Sequence, residues 1–253
     1  MKKRLGGSRK RLVLFAIGGG LTVIVIAFLL VYFVIFPTSS PKPFSLSSTT
    51  ATGASSASGA SAASTAKQSS ATTGLSGQWQ VVSGSQAGYR VREKLAFLPA
   101  ESDAVGRTSQ ITGSATFTQS KDTVTITSAS FKVAVNTLTS DRSMRDEKIH
   151  EIGLESSRYP TATFALETPV TISAGTLNGK VARVSVTGTF NIHGVSKKET
   201  LPAEMSLSGS TFEAVGSLTF PWSEFGMSAP SIGGFVNVTE KATMEFDLHM
   251  QRS

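Results

Sequence analysis

Cysteine is absent from all 253 residues. That excludes disulfides, thiolate metal sites and a lipid anchor built on cysteine. Histidine is scarce. His150, His193 and His249 stand far apart, none shows a spacing such as His-x₃-His, and so no metal site is predicted and no other cofactor is implied. No Gly-x-Ser-x-Gly nucleophile elbow occurs, because Gly84-Ser85-Gln86-Ala87-Gly88 puts its serine in the wrong place. Asp141, Asp146 and Glu147 lie in one charged stretch of the kind that is usually solvated, not a recognisable acid/base pair. On these absences the chain is expected not to be an enzyme.

Acidic residues are missing from the first 78 positions. The formal charge of +7 therefore misleads. Residues 1–11 hold six basic side chains, Lys42 and Lys67 follow, and residues 79–253 balance 16 basic residues against all 17 acids, a net charge of −1. The basicity belongs to the N-terminus and gives no reason to expect nucleic-acid binding.

Leu12–Phe36 is 25 residues without a charge. As a helix it spans roughly 37 Å, enough for a ~30 Å hydrocarbon core. With the basic cluster before it, it predicts a single-pass anchor with a cytoplasmic N-terminus and the rest of the chain outside the cytoplasm. A cleaved signal peptide is the rival, but its apolar part usually runs only ~7–15 residues. Residues 37–78 are almost entirely Ser, Thr, Ala, Gly and Pro, too poor in apolar surface to fold, and predict a disordered, flexible tether with an r.m.s. reach of about 35 Å.

From Trp79 the apolar residues alternate with a period of two. Val184, Val186, Gly188, Phe190 and Ile192 against Arg183, Ser185, Thr187, Thr189, Asn191 and His193 is the cleanest case. About eight such strands follow one another through short turns, which favours an antiparallel sheet closed into a barrel. One strand changes parity near Ser128, as a bulge would require. Glu240 is the lone exception in the last apolar row. Asp141–Phe164 breaks the rhythm, carries the densest charge and predicts a partly helical crossover that Tyr159-Pro160 turns into the next strand.

On this alternation Phe117, Phe131, Val133, Phe164, Phe190, Phe212, Phe220, Met244 and Phe246 point inward, as core or as the wall of an apolar tunnel. Gly113, Ala115, Gly188, Ala203, Ala214, Gly216 and Ala242 interleave with them. Such a mixture suits a barrel with free space along its axis and a filled one equally. Glu93 is the odd member of an apolar row, either paired with an arginine such as Arg107 or Arg145 or offered to a ligand head group. Arg145-Asp146 either faces that head group or holds the crossover in place.

Several pieces occur in a telling order: Trp79 with its strand, Gly113–Phe117, Thr139–Asp146, then Arg158-Tyr159-Pro160-Thr161-Ala162-Thr163-Phe164. Val186-Thr187-Gly188-Thr189-Phe190-Asn191-Ile192-His193-Gly194-Val195 and Lys197 complete the set. Over about 79–251 the chain resembles the YceI-like domains. The resemblance implies an all-β, eight-stranded, lipocalin-like barrel whose apolar tunnel holds a polyisoprenoid or quinone-like lipid, a carrier more than an enzyme. Glu93 departs from it, since many members carry His there, and so does the N-terminal anchor, where the family more often has a cleaved signal peptide. The alternative is a packed barrel serving as a structural or protein-interaction module, and nothing in the sequence fixes an oligomeric state.

Overall fold

The computed structural model describes residues 40–47, 74–96, 101–177, 180–232 and 236–253. The basic residues 1–11, the apolar run Leu12–Phe36 and most of the tether lie outside them. Among the described residues no helix is long and apolar enough to cross a membrane.

Twelve strand segments are described: β1 (Gly77–Val81), β2 (Gln86–Leu95), β3 (Ser102–Thr108), β4 (Ile111–Ser120), β5 (Thr123–Ala134), β6 (Thr161–Leu166), β7 (Val170–Ser173), β8 (Ala182–Ile192), β9 (Val195–Ser208), β10 (Thr211–Pro221), β11 (Ser231–Ile232) and β12 (Val236–Arg252). They amount to eight long strands. β1 and β2 both pair with β12 and are two halves of one bent strand. β3 and β4 pair with β2 and β1 and form the next. β6 and β7 share β5 as partner. The order then runs through β8, β9 and β10 to β12, every pairing is antiparallel, and the contact of β1 with β12 closes the ring. The predicted eight-stranded antiparallel barrel is what forms.

Each break in a ladder has a local cause. At the bend between β1 and β2 the buried Ser85 hydroxyl accepts the His249 N–H and donates to the Val82 carbonyl, both at 2.9 Å, so β12 loses no hydrogen bond there. The predicted change of parity is a bulge at Thr127: Thr116 pairs with Ser128 but Phe117 with Ile126. Glu240 is explained the same way. The register against β2 jumps between Val238 and Ala242, the extra residues throw Glu240 into solvent, and the Trp222 indole donates to the Thr239 carbonyl at 3.0 Å inside that bulge.

The small residues do not simply leave room. Tyr89 pairs across the sheet with Gly106, Phe131 with Gly113 and Phe246 with Gly216, and each ring lies over its glycine. Gly188 lies under Phe164: a Cβ there would stand 2.3 Å from the ring and 2.5 Å from the Ala165 carbonyl. Gly188→Val is therefore expected to cost about 1–3 kcal/mol, read as a lowered denaturation midpoint, because the ring or the strand must move.

The crossover is a helix at Ser143–Lys148 followed by a wider turn at Ile149–Gly153, and Tyr159-Pro160 leads into β6 as predicted. It is pinned to the barrel by His150, whose ring nitrogens lie 2.9 Å from the Leu138 carbonyl and 2.8 Å from the Ser156 hydroxyl.

The tether read over 37–78 needs a correction. Lys42–Ser253 forms one compact unit, and within it residues 42–47 lie against the outside of the barrel, with Ser47 bonded to Glu213 and the Lys42 carbonyl to Arg107.

Candidate functional site

The inward rings sort into two groups. Phe131, Phe164 and Phe190 are direct cross-strand neighbours on β5, β6 and β8, with centroids 6.2 Å and 4.8 Å apart, and they form one wall. Toward the other end Trp79 stacks on Phe117 at 5.2 Å and Phe117 meets Phe212 edge-on at 4.9 Å. The ring set of Trp79, Phe117 and Phe212 is at most 2% exposed and plugs that end.

Between wall and plug lies a cavity of about 180 Å³. Eight of the nine predicted apolar residues line it: Phe131, Val133, Phe164, Phe190, Phe212, Phe220, Met244 and Phe246. Phe117 does not; it is plug. Sequence reasoning missed Ile149 and Leu154 from the crossover, and Trp222 and Met227 from the short 3-10 turn Trp222–Phe225 and the chain just after it. None of the four belongs to a period-two strand, so no pattern announced them. Four of the six methionines, Met205, Met227, Met244 and Met250, face the cavity. Their unbranched thioethers can repack around a guest more readily than branched side chains can.

Glu93 and Arg145 do not line it. Arg145 Nη2 donates to Glu93 Oε1 at 2.6 Å and its Nε to Oε2 at 3.4 Å, a two-pronged contact that ties the crossover helix to β2. Arg145 also bonds Asp141. Burial opposes the guanidinium's charge, but Glu93 and Asp141 together hold it above its ordinary value. Asp146 accepts the Ser140 N–H at 2.8 Å. The Arg145-Asp146 pair thus holds the crossover, and Glu93 chose Arg145 over Arg107. Arg107 sits at an outward position and meets Glu245 at 2.9 Å.

One polar atom near the cavity stands out. The Tyr89 ring lines it, while its buried hydroxyl lies beside Ser140, Arg145 and Glu93 at the crossover. Burial pushes this phenol well above its ordinary value, so it stays a neutral donor.

The three histidines occupy separate places. His193 faces the Tyr159 ring at 4.3 Å, which joins the Ile192-His193-Gly194 turn to the crossover's end. His249 comes together with Asp247 and Glu213 on the outer face, their ligand atoms within 4.8 Å of one another. There burial raises the Asp247 carboxyl, His249 acts against that rise and Glu213 adds to it.

The fold is a closed antiparallel barrel, packed at one end by rings and enclosing an apolar cavity. Residues 79–250, about two-thirds of the chain, match the YceI-like domain, and the chain belongs to that family. Among solved structures it is similar to a polyisoprenoid-binding domain from Saccharophagus degradans, at 12% identity and a TM-score of 0.52, covering 70% of this chain and 99% of that one. It is also similar to a mutant YceI protein of Campylobacter jejuni, at 15% identity and a TM-score of 0.50, covering 63% and 91%. At these identities the likeness speaks for the fold. No curated protein matches the sequence.

Proposed function

We propose that the protein is a non-enzymatic carrier, anchored in a membrane by Leu12–Phe36, that displays the barrel outside the cytoplasm and holds a polyisoprenoid or similar amphiphilic lipid in the cavity. The observation that carries this reading is the apolar cavity inside a barrel of this family. Each buried CH₂ contributes about 0.8 kcal/mol, so two isoprene units supply roughly 8 kcal/mol against an association cost of about 4–15 kcal/mol. Further units are needed for tight binding.

Size sets the next condition. A cavity of about 180 Å³ is comparable to the engineered ~150 Å³ cavity that takes up benzene. It holds the first unit or two as it stands, and a longer chain must displace lining side chains, for which the four methionines are the best suited. The similarity to a structure described as polyisoprenoid-binding supports the same ligand class. The rival reading, a barrel filled by its own side chains, is favoured at the Trp79–Phe117–Phe212 end only.

Native mass spectrometry of the full chain from detergent, followed by organic extraction, tests the proposal. The expected spectrum shows one adduct per chain that extracts as a prenyl lipid, or uptake of an added quinone or polyprenyl phosphate. A bare mass with no uptake of either would leave the packed module as the better description.

A further inference from the structure

Between Pro37 and Gly74 the only large apolar side chains are Phe44 and Leu46. Both are half-buried, while Pro43, Ser45 and Ser47 around them are exposed. That is the alternation of an extended peptide laid on a surface. The contacts are specific. The Arg107 guanidinium sits 3.8 Å over the Phe44 ring. Arg107 Nη2 donates to the Lys42 carbonyl at 2.5 Å. At the other end the Ser47 N–H and Oγ both donate to Glu213 Oε1, at 2.8 and 3.2 Å.

With the segment in place the receiving surface is closed over. Phe212 and Ala214 face the core, so Glu213 points outward, yet it is only 4% exposed. An outward carboxylate so deeply covered requires donors, and Ser47 supplies two of them. Arg107 is likewise held in place, by Glu245, which also binds Arg90 at 3.3 Å. Val105 and Val215, pointing away from the interior on β3 and β10, are buried as well.

We propose that Lys42–Ser47 is a latch, and that this outer face is a docking surface for the chain's own segment. Docking removes most of the tether. Of the 42 residues from 37 to 78 only 37–41 precede Lys42. Five residues stretch to about 17 Å, against about 140 Å for all 42. The consequence, which rests on the anchored reading, is a barrel kept near the bilayer, where a water-insoluble guest enters or leaves without crossing open solvent.

Hydrogen exchange on the full chain in nanodiscs holding one copy each tests the docking. Amides at 44–47 are expected to exchange about tenfold or more slowly than those in 50–72, and the double variant Phe44→Ser/Leu46→Ser to erase the difference while strand protection is kept. Equal rates in the unaltered chain overturn the latch. Protection present in two-copy discs and lost in one-copy discs also overturns it, in favour of exchange of the segment between copies.

Height is read separately. With no native cysteine, Ser217→Cys on the exposed side of β10 carries a single fluorophore, and quencher lipids report its distance from the bilayer. Quenching is expected to fall several-fold when the double variant frees the tether. Unchanged quenching overturns the height-setting role. A chain that does not enter nanodiscs refutes the anchor and its consequence, while slow exchange at 44–47 in solution still upholds the docking.

Discussion

Arg145→Met is expected to destabilise the barrel by about 3–5 kcal/mol, because it strands the Glu93 carboxylate among apolar neighbours. Glu93 is 7% exposed, on the row of Tyr89 and Val91, and its two oxygens face Arg145. Removing the guanidinium leaves the buried carboxylate without its cation and frees the helix Ser143–Lys148 from β2. The double variant Glu93→Met/Arg145→Met should recover most of the loss, since two apolar side chains in place of a buried pair are often neutral. Denaturant unfolding of the full chain in detergent measures both. A single-variant loss under about 1 kcal/mol, the range of surface ion pairs, would mean that water already shares the site.

Ala203→Phe is expected to abolish lipid uptake in the native mass spectrum. Ala203 is 3% exposed, lies between Val184 and Gly216 on the neighbouring strands, and lines the cavity. A ring grown from it occupies the space a guest needs. Because that space exists, stability should fall by no more than the ~1–3 kcal/mol typical of overpacking. Ser217→Phe, on the exposed side of β10, should leave uptake unaltered. A folded Ala203→Phe barrel that still takes up lipid would place the ligand elsewhere.

Much of this fold could be read from the alternation of apolar residues. The eight long strands, the bulge near Ser128 and the Tyr159-Pro160 turn all follow from where the period holds and where it fails. Eight of the nine residues on the inward list line the cavity for the same reason. What the period does not contain is the identity of a cross-strand partner. Gly188, Gly113 and Gly216 looked like spare room until the register laid rings over them, and Phe117 looked like wall until Trp79 and Phe212 met it. Glu93 had two candidate arginines, and only the side of the sheet each occupies decides between them. Trp222, Met227, Ile149 and Leu154 come from segments without a period. The docked segment did leave a trace, two large apolar residues in a tract of small ones, but composition averaged over the tether concealed it.

β12 is paired on both edges, with β10 along Lys241–Gln251 and with β2 and then β1 on the other side. The first and last strands of the barrel are thus hydrogen-bonded neighbours separated by the whole domain in sequence. Such a closure is slow, since the entropy of a loop that long is lost before any pairing energy is gained. Until Val236–Arg252 arrives, β1, β2 and β10 are open edges and the cavity has no fourth side. The barrel is then both unable to retain a guest and exposed to edge-to-edge association. A chaperone present at that moment would act on this unclosed seam, between strands that lie far apart in sequence and meet last.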